Sequence, residues 1–368
     1  MGLYPVIEPY DHGMLDVGDG NHVYWETSGN PHGKPALVLH GGPGSRTSPN
    51  LRRYFDPAAY RIVLLDQRGA GRSLPRASAH DTDMSVNTTA HLMADLERLR
   101  AHLGIERWLV WGVSWGSVLG LRYAQTHPGV VSELVLTGVA TGSRAEVELL
   151  TRGLGKIFPD AHERFLAELP PKDRDGNLAA AYNRLLESPE PSVRDRAARA
   201  WTDWETATIP APPGSVARFE DPEFRRGFAR TVTHYWGNDH FLGEGEGEGD
   251  GGDEGVVLRN AHLLKGIPGT LVQGSLDFGN LLGIVWRLHH AWPDSELVVV
   301  DEAGHDAGAV GDEALRAATD KYARAGDRTT GRSPSRTDPS RTDPSRTDPS
   351  RTDPLLTDSS VPARPPSP

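Results

Sequence analysis

The sequence contains no cysteine among its 368 residues. Disulfide bonds, thiolate nucleophiles and cysteine-ligated metal sites are therefore excluded. It also lacks an apolar run long enough to span a membrane, and its first residues, MGLYPVIEPYDHG, contain no basic segment followed by an apolar one. Because neither a membrane span nor a secretory signal is indicated, we expect a cytoplasmic protein.

An excess of positive charge is missing as well. The chain has 39 Lys and Arg against 50 Asp and Glu, which gives a formal net charge of −11. A chain of this charge repels phosphate backbones and anionic lipid surfaces. We therefore expect neither nucleic acid nor a membrane as a partner, and the oligomeric state stays open.

Short apolar runs recur along the chain, with turn signals and helical patterns between them. Strands alternating with helices in this way predict an α/β fold whose mostly parallel central sheet is covered by helices on both faces. The predicted strands are the runs 36–39, 61–65, 108–111, 134–136, 270–272 and 297–300.

The strand patterns stop at about residue 143 and resume after 255. Between these positions, helical segments such as NLAAAYNRLLES and SVRDRAARAWTDWETAT predict a helical cap, inserted between a first part of the core (1–142) and a second part (256–325). The acidic, glycine-rich stretch 243–255 does not have the spacing of an EF-hand calcium loop, so we expect a surface loop there. Residues 326–368 contain four copies of Arg-Thr-Asp-Pro and are predicted to be a disordered tail.

A lone serine stands where one buried strand must turn into a helix, in the stretch Gly112-Val113-Ser114-Trp115-Gly116. Flanking glycines let the backbone turn sharply, and the serine hydroxyl is then exposed above the sheet as a nucleophile. Because the chain has 41 glycines, the same letters also fit an ordinary turn. The apolar run before the motif and the helical pattern after it favour the nucleophile elbow.

A serine hydroxyl needs a base, and the base needs a group that orients it. Asp277 and His305 each follow a predicted strand, at the sheet edge where sites of parallel sheets form. The order Ser114, Asp277, His305 is that of α/β-hydrolases. Asp301 and Asp306 compete for the orienting role, but both lie too close to His305 in sequence to come from a neighbouring strand.

Acyl transfer also needs hydrogen-bond donors for the developing oxyanion. The backbone N–H of Trp115, directly after the serine, is one candidate donor. The stretch LVLHGGPGS, residues 37–45, supplies glycines after a buried run, and their backbone can face a substrate. A tight turn is the alternative interpretation of these glycines.

Together these motifs resemble the proline iminopeptidase family, α/β-hydrolases that remove N-terminal proline from peptides. The similarity covers residues 4–323 and includes HGGPG, DQRGAGRS, GVSWGS, YAQTHP, IFPDAHERFLAELP, ARAWTDWE and AGHDA. It implies an α/β-hydrolase core with a helical cap, and no metal or organic cofactor.

The resemblance also implies roles for individual residues. Ser114 is expected to be the nucleophile, His305 the base and Asp277 its orienting group, with the N–H groups of Gly42 and Trp115 forming the oxyanion hole.

Several positions depart from the family pattern. Val113 replaces a glycine in the elbow, and LDFGNLL stands where the family has Tyr-Asp and then Cys-Pro. The family holds the substrate's charged N-terminus with two glutamates; Glu205 corresponds to one of them, but Val232 replaces the other. An esterase, lactonase or amide hydrolase whose substrate lacks a free amine is therefore an alternative function, and a non-catalytic ligand-binding module is a third.

Overall fold

One mixed sheet of eight strands organises the part of the chain that the computed structural model describes, residues 2–209, 216–243 and 254–330, with side chains to residue 324. The spatial order of the strands is β1-β2-β4-β3-β5-β6-β7-β8. The strands are β1 (Pro9–Gly18), β2 (Asn21–Gly29), β3 (Lys34–Leu39), β4 (Tyr60–Leu65), β5 (Trp108–Val113), β6 (Val131–Thr137), β7 (Gly269–Gly274) and β8 (Ser295–Val300).

Parallel pairing runs without interruption from β4 through β3, β5, β6 and β7 to β8. The inner strands are buried on both faces, which explains their continuous runs of Val, Ile and Leu. All six predicted strands are present, and the predicted α/β class is confirmed.

The N-terminal hairpin of β1 and β2 was not predicted. Its two strands pair antiparallel with each other, and β2 also pairs antiparallel with β4. Gly18, Asp19 and Gly20 all have positive φ at its turn, and a Gly-Asp-Gly turn was a hairpin signal present in the sequence. Most of β1 is exposed or half-buried, so it lacks the apolar run by which the other strands were found.

Ten α-helices lie in the described ranges. None of them is long and apolar enough to cross a membrane. They are α1 (Thr89–His102), α2 (Trp115–Thr126), α3 (Arg144–Thr151), α4 (Pro159–Ala167), α5 (Leu178–Leu186), α6 (Pro191–Thr208), α7 (Pro222–Trp236), α8 (Val256–Arg259), α9 (Leu282–Ala291) and α10 (Gly308–Thr330).

Two predictions about loops fall largely outside the described residues. Positions 244–253 of the glycine-rich stretch and positions 331–368 of the tail are not among them. The first five residues of the predicted tail, 326–330, form the last turn of α10.

Helices α3 to α7 follow β6 and have an apolar core of their own, in the segment predicted as the cap. The segment begins at a capping box: the Ser143 hydroxyl accepts from the Glu146 N–H, and the Glu146 carboxylate accepts from the Ser143 N–H. Inside, the rings of Phe165 and Tyr182 stack with centroids 4.5 Å apart. The predicted cap helices in NLAAAYNRLLES and SVRDRAARAWTDWETAT are α5 and α6.

Helix α7 fastens these helices to the sheet part through a buried arginine. The Arg230 guanidinium donates to the carbonyls of Ala77, Ala79 and Thr82 at 2.8 to 3.1 Å and pairs with Glu187 at 2.6 Å. Because the strands supply no partner for these loop carbonyls, the arginine satisfies them and fixes the position of α7.

Helix α2 approaches the end of β3 backbone to backbone. A Cβ placed on Gly116 would lie 2.2 Å from the Leu39 carbonyl oxygen, and one on Gly112 would lie 2.4 Å from the Gly116 carbonyl oxygen. Only hydrogen fits at either position, which explains both glycines of the elbow motif.

We predict that Gly116→Ala lowers the free energy of unfolding by about 3 kcal/mol, at the upper end of the usual cost of overpacking, because backbone cannot move aside as a side chain can. Thermal and denaturant unfolding measure the change. Gly129→Ala is the matched control, since a Cβ there meets nothing within 4 Å. Equal stability of the two variants would contradict the close approach.

Candidate active site

Ser114 lies at the sharp turn between β5 and α2. Its φ and ψ are 56° and −122°, a conformation that costs energy for any residue with a side chain. Its N–H donates to the Thr137 carbonyl at 3.0 Å, which ties the turn to β6. The structure therefore has the strained strand-to-helix geometry that the sequence motif predicts.

Asp277 and His305 follow β7 and β8 and are hydrogen-bonded to each other. Asp277 Oδ2 lies 2.9 Å from His305 Nδ1, and the aspartate side chain is only 1% exposed. The N–H groups of Gly279 and Asn280 donate to Oδ1, and Gln273 Nε2 donates to Oδ2. These bonds fix the carboxylate against the ring. Of the three candidate carboxylates, it is Asp277 that contacts His305.

The bond to Asp277 assigns the proton of the neutral His305 ring to Nδ1 and leaves Nε2 as an acceptor. Burial by itself lowers the pKa of His305, but the charge and hydrogen bond of Asp277 outweigh it, and the net pKa is raised. Ser114 and His305 line one cavity, and within the described residues their side chains are not hydrogen-bonded to each other. Such contacts commonly tighten only when substrate binds.

The loop after β3 lies against the elbow. A Cβ on Gly41 would lie 3.1 Å from Ser114 Cβ, and Gly42, with φ of 115°, lines the same cavity as Ser114. Trp115 does not line the cavity with its ring, which is 3% exposed, but its backbone begins α2 directly after Ser114. The two predicted oxyanion donors, Gly42 and Trp115, thus flank the serine.

Sequence reasoning missed the polar groups that hold this loop. Gln67 N–H donates to His40 Nε2 at 3.0 Å, so the ring proton is on Nδ1, which donates to the Gly41 carbonyl. Gln67 Nε2 donates to the His40 carbonyl, and Gln67 Oε1 accepts from Trp115 Nε1 at 2.8 Å. Burial lowers the pKa of His40, which favours this neutral form. The DQRGAGRS motif, which contains Gln67, could have indicated these groups, but the sequence analysis used it only for its resemblance to the family.

Glu205 projects from α6 into the cavity that contains Ser114 and His305. The cavity has a volume of about 410 Å³. Glu205 Oε1 accepts from Trp201 Nε1 at 2.9 Å. Burial raises the pKa of Glu205 to about 7, against the opposing effects of the Trp201 bond and the positive charge of Arg218. A bound cation would return this carboxyl group to its ionised form.

Val232 is fully buried in the apolar core of the cap helices and does not line the cavity. Phe228 and Trp236, one turn before and after it on α7, do line the cavity. Position 232 therefore lies on the same face of α7 as these two cavity residues, and a longer side chain there would begin on that face. Across the described ranges, no group of three or more His, Asp or Glu side chains is placed to hold a metal ion.

Known proteins resemble this chain over most of its length. The α/β-hydrolase fold family matches residues 34–312. A probable proline iminopeptidase of Streptomyces coelicolor is 88% identical over 326 residues, which cover 89% of this chain and 99% of that protein. The proline iminopeptidase of Xylella fastidiosa is 45% identical over 308 residues, covering 83% of this chain and 94% of that protein.

Solved structures show the same fold at low sequence identity. The proline iminopeptidase of Mycobacterium smegmatis matches with a TM-score of 0.54 and 19% identity, covering 87% of this chain and all (100%) of that one. A Rhodococcus esterase matches with a TM-score of 0.53 and 16% identity, covering 85% and 98% of the two chains.

We predict that Asp277→Asn slows covalent labelling of Ser114 by a fluorophosphonate on the order of 10⁴-fold, because an amide no longer holds the ring in its Nδ1–H form. In the wild type, labelling should rise with pH through a midpoint above 6.5, since the raised pKa of His305 keeps the ring protonated longer. In the variant the midpoint should move to lower pH. Labelling rates across pH measure both effects.

Ser114→Ala gives the blank for this measurement, and Asp301→Asn is the control. Asp301 is an exposed carboxylate close to His305 in sequence, so its variant should leave rate and midpoint as in the wild type. If the midpoint shifted in Asp301→Asn and not in Asp277→Asn, Asp301 rather than Asp277 would be the residue that orients His305.

Proposed function

The chain belongs to the proline iminopeptidase family of α/β-hydrolases, and on this premise we propose that it releases N-terminal proline from short peptides as a serine hydrolase. The observation that carries the proposal is the position of Glu205, a carboxylate that shares one cavity with Ser114 and His305. A carboxylate there can hold the ammonium group of a substrate's first residue. The hydroxyl of Ser114 then meets the carbonyl carbon of that same residue.

In the proposed first half-reaction, Ser114 Oγ attacks the prolyl carbonyl carbon while His305 Nε2 accepts the hydroxyl proton. The resulting imidazolium is stabilised by Asp277 at Nδ1. The N–H groups of Gly42 and Trp115 stabilise the oxyanion. When the tetrahedral intermediate collapses, the C–N bond breaks and His305 gives its proton to the departing amine.

The second half-reaction hydrolyses the prolyl ester on Ser114. His305 Nε2 takes a proton from water, whose oxygen attacks the ester carbon. The same two N–H groups hold the second oxyanion, and His305 returns the proton to Ser114 Oγ as proline leaves. Water is the co-substrate of this half-reaction: its OH becomes part of the carboxyl group of proline, and its proton restores the Ser114 hydroxyl.

An esterase or amide hydrolase with a neutral substrate is the second candidate. It is favoured by Val232, an apolar residue at the position where the family has a second glutamate for the substrate ammonium. Of the two positions where the family has glutamates for the amine, only Glu205 keeps a carboxylate here. The two candidates share the same nucleophile and differ in what Glu205 does.

Prolyl, alanyl and N-acetylprolyl arylamides, together with a neutral aryl ester, separate the candidates. We predict cleavage of the prolyl arylamide, with a preference over its N-acetylated form. Glu205→Gln should lower kcat/KM for the prolyl arylamide at least about tenfold, a loss of about 1.4 kcal/mol, and spare the neutral ester. Glutamine keeps the acceptor for Trp201 and removes only the charge.

The pH profile provides a second readout for Glu205. Because its pKa is raised to about 7, activity on the amine substrate should fall below pH 7 as the carboxyl group is protonated. In Glu205→Gln, only the loss of activity that comes from protonation of His305 should remain in the pH profile. Equal losses on amide and ester in Glu205→Gln would mean that Glu205 supports the cap helices. Cleavage of the ester without cleavage of any prolyl substrate would favour the second candidate.

Val232→Glu tests the missing carboxylate directly. We predict that it raises kcat/KM for the prolyl arylamide severalfold to about tenfold through a second charge for the ammonium. The variant should also unfold at a lower temperature, since Val232 is fully buried. Val232→Gln, with the same size and no charge, is the control. Equal kinetics of the glutamate and glutamine variants would contradict a role of charge at this position.

A further inference from the structure

Two arginines line the cavity that contains Ser114, and the proposed reaction does not use them. Arg218 is half-buried, whereas Arg46 is exposed at the mouth. Within the described residues neither guanidinium forms an ion pair with a carboxylate. Two guanidinium groups that no described carboxylate pairs with, beside a candidate nucleophile, indicate an anionic part of the substrate.

The Arg218 guanidinium is held in place by its surroundings. Its Nη1 donates to Ser45 Oγ at 3.1 Å, and its centre lies 4.9 Å from the Phe219 ring and 5.6 Å from the Phe228 ring. Its Nε is buried and donates to no described residue. A planar cation that is oriented by rings and retains an unused donor is suited to binding a carboxylate.

Charges of both signs occur in the cavity, at separate places. Burial lowers the pKa of Arg218 and the negative charge of Glu205 acts against this effect, but the two side chains do not form an ion pair. Asp306 also lines the cavity and is exposed beside His305. The deeper part of the cavity therefore has one carboxylate, Glu205, and one guanidinium, Arg218, a pattern that is complementary to a zwitterion.

The bond to Ser45 relates Arg218 to the proposed chemistry. Ser45 belongs to the same loop as Gly42, the expected oxyanion donor. In a short prolyl peptide whose ammonium is held by Glu205, the remaining backbone charge is the C-terminal carboxylate, which belongs to the leaving group. An extended dipeptide is about 7 Å long, and a cavity of about 410 Å³ is of a size that encloses small ligands.

We propose that Arg218, assisted by Arg46 at the mouth, is a carboxylate subsite that makes dipeptides of the form Pro-Xaa, with a free C-terminus, the preferred substrates. This inference rests on the proposed function and specifies its substrate class. The subsite recognises the leaving group, while Glu205 recognises the released proline.

The test compares Pro-Ala with Pro-Ala-amide, which differ only in the C-terminal charge. The wild type should prefer the acid, with a kcat/KM ratio of acid to amide of at least about ten, expressed mainly in KM. Arg218→Met should bring this ratio close to one, and Arg46→Met should reduce it less, because an exposed charge is screened by solvent. Arg218→Lys should keep part of the preference.

Arg226→Met is the matched control. It removes the same charge from α7, where Arg226 pairs with Asp195 at 2.9 Å outside the cavity, and it should keep the wild-type ratio. Thermal unfolding shows whether each variant is folded. If Arg218→Met is not, the acid-to-amide ratios of Arg218→Lys and Arg46→Met test the proposal. A wild-type ratio near one, or a ratio unchanged in the folded Arg218 variants, overturns the proposal.

A second pair of substrates separates this inference from the proposed function. 4-Acetoxybenzoate and 4-acetoxybenzamide are aryl esters without an amine. The phenol that leaves has a carboxylate in the first and a neutral carboxamide in the second. If prolyl substrates are not cleaved, the proposed function fails, yet a preference for the acid ester that disappears in Arg218→Met still supports the arginine subsite. If prolyl substrates are cleaved, but Arg218→Met leaves the ratio of acid to neutral substrate unchanged in both pairs, only the proposed arginine subsite is wrong.

Discussion

The close approach of α2 to the end of β3 is the constraint on which the candidate site depends. Gly116 lies so near the Leu39 carbonyl that a methyl group would not fit, and this contact brings Ser114 next to Gly41. The strained φ of Ser114 follows, because the chain must reverse from β5 into α2 within one residue. Strain at this residue is tolerated since the strands on either side of β5 are buried and fixed.

Buried polar groups then fix what the backbone contact brings together. His40, Gln67 and Trp115 connect the glycine loop, the segment after β4 and the elbow by hydrogen bonds of 2.8 to 3.0 Å. Next to them Asp66 accepts from Thr47 and Arg72. Burial alone would raise the pKa of Asp66, but the hydrogen bonds from Arg72 and Thr47 lower it. A loop of glycines, which has little stiffness of its own, is held rigid by these groups.

The sequence by itself determined the parallel sheet, the presence of helices between β6 and β7, and the residues that stand at strand ends. Buried parallel strands are apolar on both faces, so each appeared as a continuous run. Ser114, Asp277 and His305 could be chosen because each follows such a run, and the parallel direction of the strands brings their carboxyl ends to one edge. The hairpin of β1 and β2 escaped this reasoning, since an exposed edge strand has no apolar run.

Only the tertiary structure decided which groups contact each other across large distances in sequence. It placed Asp277, rather than Asp301 or Asp306, within hydrogen-bond distance of His305 Nδ1, because the segment after β7 lies next to the segment after β8. It also placed Arg218, between α6 and α7, against Ser45 in the loop after β3, 173 positions apart. The periodicity of a sequence reports which face of an element is buried, but not which side chain lies opposite. That depends on the packing of the cap helices over the sheet.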